Sequence, residues 1–571
     1  MNRNTNLHFS QTPKINIARS KFDESHSIKT TWNVGDVIPL FVDSDILPGD
    51  TVQMDMSEIV RMATPIYPIM DNLYMDIYWF FVPHRLTMEH WPEFWGENND
   101  PWIQTQEYEI PQIEAPSGGW TEGTIADYMG IPTKVDGFTV NALPFRAFAK
   151  VWNDWFRDEN LKSCCHIYTD ETTRTGTNGT GDYVLDVELG GMPPKAAKFH
   201  DMFTSALPSP QKGKAVEIPL TGQLDVYAGN TNHINIGDAA HGLVFGEIDN
   251  NKLVTRTTAN NVRTDLALQP NTGNYTENSP LYGVAGNYGL PNSPREYTPI
   301  NLYADMSEAT AITVSALRTA FAVQKYFENA GLHGTRYIEY IRSVFGVTSS
   351  DARFQRAEYL GGQRIPINID QIIQTSSTDA TTPQGNAAGF SCTRSSDNMF
   401  TKSFEEHGTL LCCICTRVEH SYQQGLDRMW FRKKWNQFYN PFFAHLSEQS
   451  LENKQIFLQA DSVVDANGEV VNEQAFGYQE AWVDYRYKQN KVTGYMRSNA
   501  TGSLDVWHFA DDYASLPKLG SVWIDEPYAN VDRTIAVTSQ LTHQFIGDFY
   551  FRCYYTRPMP VYSVPGLIDH V

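Results

Sequence analysis

The chain has 571 residues, of which 39 are glycine and 30 are proline, with 19% charged and 13% aromatic residues. At about 150 residues per domain, this length allows roughly four domains, or fewer if one all-β domain carries long insertions. The ordinary glycine and proline content excludes a collagen-like or low-complexity chain, and the aromatic content indicates a folded protein. The net charge is −22, so the body repels phosphate and a general nucleic-acid binder is excluded.

The first 30 residues differ in charge from the rest. They hold five basic residues against two acidic ones, a net charge of +3, which leaves −25 on the remainder. The basic residues of this segment are Arg3, Lys14, Arg19, Lys21 and Lys29. Residues 1–30 are therefore predicted to form a mildly basic N-terminal arm on an acidic body. No signal-peptide core and no apolar run near about 18 residues is visible, so we expect a soluble protein made in a cytoplasm, without membrane insertion.

Alternating apolar and polar residues predict β-strands at both ends of the chain. Residues 29–42 are rich in β-forming types and are followed by a turn at 47–50. In 72–82 and 545–555 apolar side chains recur at every second position, which predicts two strands with one buried face each. The continuous apolar run 410–418 is predicted to be a central strand buried on both faces. The apolar positions of the alternating strands are Leu73, Met75, Ile77, Trp79 and Phe81, then Phe545, Phe549, Phe551, Cys553 and Tyr555.

Helices are predicted to be the minority. Apolar residues at helical spacing predict one helix over 307–330 and a shorter one with Ile338, Ile341 and Phe345 on one face, ending at Gly346. Their apolar faces are expected to pack on the outside of the sheet or on a neighbouring subunit.

Two segments are predicted to be surface insertions into this all-β plan. The span 222–300 is rich in asparagine and glycine and contains a single phenylalanine and no tryptophan. The segment 172–181 consists mainly of threonine and glycine and predicts a smaller exposed loop. No internal repeat is present, which disfavours solenoids and propellers.

The seven cysteines include a C-x-x-C spacing at Cys412 and Cys415. Residues three apart on a strand point to opposite faces, so these two thiols are not expected to share a metal ion. An odd number of cysteines also does not suggest a disulfide framework. We therefore expect free thiols that fill the core, and no metal or cofactor.

Residues 91–100 place Glu93 and Glu97 among tryptophans, as in a glycosidase cleft, where two carboxyl groups lie about 5 to 10 Å apart. Acidic residues beside aromatic ones are common in a chain of this composition. A carbohydrate-binding protein or glycosidase is therefore kept as an alternative function. Polar packing of a loop is the simpler interpretation.

The segment 422–439 interleaves cations with aromatic rings. Its basic residues are Arg428, Arg432, Lys433 and Lys434, and its rings include Trp430, Phe431, Trp435, Phe438 and Tyr439. Single-stranded nucleic acid is bound by this combination, with cations on the backbone and rings under the bases. The alternative, which we favour, is a helix whose aromatic face is core and whose basic residues pair with carboxylates.

Several motifs, in matching order and spacing along nearly the full chain, resemble the major capsid protein of gokushovirus-type microviruses, small icosahedral phages with single-stranded DNA. The central ones are Arg318-Thr-Ala-Phe321, Gly334-Thr-Arg-Tyr-Ile-Glu339, Phe345-Gly-Val-Thr348, Asp351-Ala-Arg353 and Glu358-Tyr-Leu-Gly-Gly362. The flanking ones are Leu47-Pro-Gly-Asp50, Thr64-Pro-Ile-Tyr-Pro-Ile-Met-Asp71, Phe80-Phe-Val-Pro-His-Arg85, Tyr422-Gln-Gln-Gly-Leu-Asp-Arg-Met-Trp430, His445-Leu-Ser-Glu-Gln449 and Phe476-Gly-Tyr-Gln-Glu480.

The resemblance implies that residues 1–571 form a single jelly-roll capsid domain, an all-β-dominated sandwich with long loop insertions and a few helices, and no catalysis. It implies pentamers and a closed (T=1) shell of about 60 copies around a circular single-stranded DNA genome. Implied partners are a small basic DNA-binding phage protein, scaffolding and pilot proteins, and a host receptor. The implied location is the virion, and the host cytoplasm during assembly.

Within this family, the span 222–300 corresponds to a variable insertion that rises near the threefold axes, which we expect to serve host attachment. The candidate DNA contacts are Arg3, Lys14, Arg19, Lys21, Arg428, Arg432, Lys433 and Lys434.

Overall fold

A computed structural model describes residues 18–97, 108–216, 314–334, 336–378 and 383–562, with the backbone of seven short strands between 226 and 304. The chain divides into two compact units, one made of residues 1–212 and 327–571 and the other of residues 213–326. No helix in the described part of the chain is long and apolar enough to cross a membrane.

Nine strands of the first unit build its two large sheets. They are β1 (Ser20–Asp23), β2 (His26–Trp32), β3 (Ile38–Ile46), β4 (Thr51–Met62), β5 (Leu73–Pro83), β6 (Glu358–Pro366), β7 (Thr393–Ser403), β8 (Gly408–Val418) and β9 (Phe545–Arg557). The tight turn between β3 and β4 is the predicted one, where Gly49 takes a φ of 94° and the Asp50 amide donates to the Leu47 carbonyl at 2.9 Å.

The strand order of the two sheets is nested. One sheet runs β1–β9–β4–β7, with β2 also paired to β9, and the other runs β6–β5–β8–β3, with all pairs antiparallel. If β1 and β2 count as one interrupted strand, the first strand pairs with the last, the second with the seventh, the third with the sixth and the fourth with the fifth. This is the pairing of a jelly roll. The β-dominated sandwich predicted from the sequence is confirmed.

The main core lies between the two sheets. The Trp79 ring on β5 lies 5.4 Å from Phe400 on β7 and 5.9 Å from Phe551 on β9. Apolar side chains from both sheets fill the rest of this layer. The predicted alternation of β9 is confirmed, because its inward positions are buried and its outward ones are mostly exposed.

The prediction of a single buried face for residues 72–82 is wrong. Phe80 and Val82 point away from the main core and are also buried, in a second core on the outer side of the sheet. The helix Leu143–Val151 covers this side with Phe145 and Phe148. β8 lies between β5 and β3 and is buried on both faces, as predicted.

The remaining elements are short, except for the 19-residue helix Val314–Leu332. The other α-helices are Trp91–Phe94, Ile125–Tyr128, Tyr183–Asp186, Val314–Leu332, Tyr337–Tyr340, Val483–Arg486 and Ala529–Asp532. The minor strands of the first unit are Gln112–Glu114, Thr139–Asn141, Arg174–Thr175, Ile369–Ile373, Ala387–Ser391, Glu448–Glu452 and Ala475–Glu480. Those of the second unit are Val226–Ala228, Phe245–Asp249, Lys252–Val254, Leu268–Gln269, Tyr282–Gly283, Glu296–Pro299 and Leu302–Ala304.

The two predicted helices exist, with shifted bounds. The first spans Val314–Leu332, and the N-terminal part of its predicted range lies outside the described residues. The second continues from Tyr337–Tyr340 into a π-helical turn, Ile341–Phe345, and ends at Gly346 with a φ of 68°. Neither helix has a buried residue, so burial of their apolar faces on the sheet is not observed.

Most of the predicted insertion, 222–300, lies outside the described residues. Its short strands form antiparallel pairs within the second unit. The role of this span therefore stays a prediction.

Candidate functional site

The C-x-x-C segment lies in β8 and is structural. Cys412 belongs to the core between the sheets, whereas Cys413 and Cys415 belong to the second core. All seven cysteines are free thiols. Burial raises the pKa of Cys415 to about 12, so its thiol stays protonated. Among the residues described, no group of three or more His, Cys, Asp or Glu side chains is placed to hold a metal ion.

The carboxylates of the glycosidase alternative lie at a short helix, Trp91–Phe94, and just after it. Glu93 is in the helix and Glu97 follows it in an exposed position. The neighbouring tryptophans pack on histidines, with ring centroids 4.7 Å apart for Trp91 and His84 and 4.8 Å apart for Trp95 and His407. These contacts fit the simpler interpretation, polar and aromatic packing of a loop.

The basic and aromatic segment is not a continuous helix, and that part of the favoured interpretation is wrong. It contains two 3-10 turns, Arg428–Trp430 and Trp435–Gln437, and a third, Pro441–Phe443, follows it. Asn440 caps the third turn, where its side-chain oxygen accepts the Phe442 amide at 3.1 Å. Short turns of this kind do not create one buried helical face.

Four rings of this segment, and Phe442 just after it, face solvent, so the expectation that the aromatic face is core is wrong for them. Phe431 is half-buried and Tyr422 is buried. Trp430 is 69% exposed, Trp435 77% and Phe442 90%. Phe438 and Tyr439 are about half exposed. We call the surface formed by these five rings the aromatic loop surface. A patch of large exposed apolar groups is unusual for a free protein and marks a contact site.

Contacts with the segment 482–485 hold the aromatic loop surface in place. The Trp482 indole N–H donates to the Phe443 carbonyl at 3.0 Å. The Tyr439 ring lies 5.7 Å from Trp482 and 6.1 Å from Tyr485. The Tyr439 ring is therefore positioned before any partner binds, which reduces the entropy lost in ordering it.

The four cations of the segment divide into two pairs. Arg428 lies 3.5 Å from the Glu452 carboxylate and donates to the Ser450 carbonyl, and Arg432 pairs with the Asp484 carboxylate. These two arginines pair with carboxylates, as the favoured interpretation of this segment predicted. The side chains of Lys433 and Lys434 are exposed and form no ion pair within the described residues. The aromatic loop surface thus carries two unpaired positive charges.

The cations of the predicted arm lie elsewhere. Arg3 and Lys14 are outside the described residues. Arg19 is exposed, and the Lys21 ammonium lies 3.8 Å above the Tyr554 ring on the outer face of β9. The described part of the segment 1–30 is largely strand, because it contains β1 and most of β2.

Sequence reasoning missed a buried carboxyl group in the main core. The inward positions of β4 are Val52, Met54, Met56, Glu58, Val60 and Met62, and Glu58 is only 2% exposed. Burial raises the pKa of Glu58 to about 7, and neither oxygen of its carboxyl group has a hydrogen-bond partner within the described residues. The sequence did contain a signal for it, because Glu58 occupies a position that the alternating pattern of β4 assigns to the apolar face.

Residues 10–567 match the family described as capsid protein (F protein). The chain is 41% identical to capsid protein VP1 of Spiroplasma virus 4 over 569 residues, covering 99% of this chain and 98% of that protein. It is 38% identical to capsid protein VP1 of Chlamydia phage 1 over 585 residues, covering 98% and 97%. It is also 38% identical to capsid protein VP1 of Bdellovibrio phage phiMH2K over 562 residues, covering 98% and 97%.

The matched range includes all of residues 213–326, nearly all of the first unit and every strand of the jelly roll. The family and these relatives are structural proteins of virus particles, which removes the basis for the glycosidase alternative at Glu93 and Glu97. The chain belongs to the capsid protein (F protein) family and is a structural subunit of a phage particle, not an enzyme.

Proposed function

We propose that the chain builds a closed (T=1) icosahedral shell of about 60 copies, assembled through pentamers around a circular single-stranded DNA genome. The nested jelly-roll pairing in a chain that matches the family from residue 10 to residue 567 carries this proposal. Jelly-roll sandwiches are a recurring architecture of viral shells. The chain also supplies 29 Tyr, 13 Trp and 30 Phe, several of them exposed, and aromatic rings are enriched at protein interfaces.

Assembly state tests this proposal. We expect uniform icosahedral particles, or subunit rings that precede them, in electron micrographs and sedimentation profiles of the purified protein. A folded protein that stays monomeric together with the other proteins of its phage would contradict the shell.

The charge of the chain supports a need for partners. A chain of net charge −22 repels packaged DNA, and a small basic DNA-binding phage protein would offset this repulsion. Scaffolding and pilot proteins are proposed to act during assembly in the host cytoplasm, and a host surface receptor after release.

Within this shell, we propose that Lys433 and Lys434 contact the DNA backbone and that Trp430 and Trp435 stack on bases. This combination of exposed cations and rings is typical of single-stranded nucleic-acid sites. Arg428 and Arg432 position the loop through their ion pairs. Arg3, Lys14, Arg19 and Lys21 form a second proposed contact.

The double variant Lys433→Ser, Lys434→Ser tests the DNA contact. Each phosphate contact to a single strand contributes about 0.7 to the slope of log affinity against log salt, so the variant should lower this slope by about 1.4. The measurement is binding of a single-stranded oligonucleotide across a salt series. Lys518→Ser, which removes an exposed lysine elsewhere, should leave the slope unchanged. An equal slope for the double variant and the wild type would show that these lysines do not touch DNA.

A further inference from the structure

A second set of rings lies on the short helical segment that begins at Tyr337 and on a turn that follows it. Ring centroids are 5.9 Å apart for Phe345 and Tyr340, 6.4 Å for Tyr340 and Tyr337, and 5.8 Å for Tyr337 and Phe354. Tyr337 is 66% exposed and Phe345 65%. We call these four connected rings the neutral ring surface.

The neutral ring surface is anchored to the jelly-roll unit by polar contacts at both ends. Before it, the Arg336 guanidinium donates to the carbonyls of Asn153 at 3.2 Å and Arg157 at 3.0 Å. After it, the Ala357 amide donates to the Asp154 carboxylate at 3.0 Å. Because both ends of the segment are anchored, less entropy is lost when a partner orders it.

The neutral ring surface differs from the aromatic loop surface in its net charge. Residues 337–354 contain two acidic residues, Glu339 and Asp351, and two basic ones, Arg342 and Arg353, so their net charge is zero on a chain of −22. Glu339 lies 3.5 Å from Arg336. A DNA strand would find no excess of cations here, and a basic protein would find no excess of carboxylates.

A second copy of the same acidic chain binds most favourably at a surface that is apolar and carries no net charge. Two copies that each carry −22 repel one another, and this repulsion is smallest where the facing surfaces carry no net charge. Aromatic anchors at the centre of a contact supply most of its affinity. The tyrosine and phenylalanine rings fit such anchors.

We infer that the neutral ring surface is a contact between copies of this chain, with Tyr337 and Phe345 as its anchors. This inference rests on the proposed function, because it requires that the copies assemble. The contact would also bury the apolar face of the helical segment that begins at Tyr337, which is exposed in the single chain.

The test compares Tyr337→Ser, Phe345→Ser with a control, Tyr495→Ser, Leu541→Ser, which removes two other exposed apolar side chains. The measurements are sedimentation and electron microscopy across a protein concentration series, with the melting temperature of the unassembled subunit as a check on folding. We expect the first variant to require roughly tenfold more protein for assembly, or not to assemble, at an unchanged melting temperature.

Assembly of the variant at the wild-type concentration would overturn this inference alone. Equal loss in the control would overturn the assignment to this surface. Failure of the wild type to assemble would overturn the proposed shell. If the variant does not fold, amide hydrogen exchange of the wild type decides the question. Slower exchange of residues 337–347 in particles than in free subunits supports the contact, and equal exchange overturns it.

Discussion

Glu58 is the only charged side chain on the inward face of β4, and its pKa is raised from its ordinary 4.5 to about 7 by burial. Below pH 4.5 the carboxyl is neutral in the folded and unfolded chains. Between pH 4.5 and 7 the Glu58 carboxyl loses its proton in the unfolded chain but keeps it in the folded chain. The free energy of unfolding therefore falls as the pH rises. The full loss is roughly 3 kcal/mol and is constant above this window.

The variant Glu58→Gln should not show this loss. We expect the difference in free energy of unfolding, variant minus wild type, to rise by up to roughly 3 kcal/mol from pH 4.5 to pH 7. Urea denaturation of the unassembled subunit at several pH values measures it. Glu405→Gln, at an exposed carboxyl, serves as the control and should show a constant difference. A constant difference for Glu58→Gln as well would contradict the prediction.

At the scale of elements, the helix Leu143–Val151 stabilises the sheet that it covers. Pro144 lies in its first turn, where a missing amide donor costs nothing, and Phe148 is fully buried against the outer side of β5 and β8. Phe148→Ala should lower the free energy of unfolding by about 3 to 5 kcal/mol, because it leaves a cavity in the second core. Denaturant unfolding of the subunit measures this loss. Phe442→Ala, at a 90% exposed ring, should change it by less than about 0.5 kcal/mol, and an equal loss in both variants would argue against this core.

At the scale of the whole molecule, residues 213–326 form a compact unit of their own. We propose that residues 225–290 within it serve host attachment rather than shell closure. Replacing them with a short glycine and serine linker should give particles that form but no longer adsorb to the host. Electron microscopy and an adsorption assay measure the two properties. A variant that forms no particles would contradict this division of roles.

The sequence by itself determined the family, the period-2 strand β9, the doubly buried strand β8 and the structural role of the thiols. The strand properties are local, because an alternating pattern specifies which side of a strand is apolar. A strand also places residues three apart on opposite sides, which separated Cys412 from Cys415. Motif order and spacing extend along the chain, so the family too could be identified before any contact was known.

Only the tertiary structure decided what covers each surface. The second buried face of β5 depends on a helix some 60 residues further along the chain, and no pattern within the strand reports that helix. The surroundings of His420 also depend on residues far away in the sequence. Its ring nitrogens lie 3.1 Å from Asp511 and 3.0 Å from Glu526 in a buried cluster. The exposure of Trp435 and Phe345 was also not predictable, because apolar residues in a core and at an interface have the same composition. Their difference lies in which parts of the folded chain reach them.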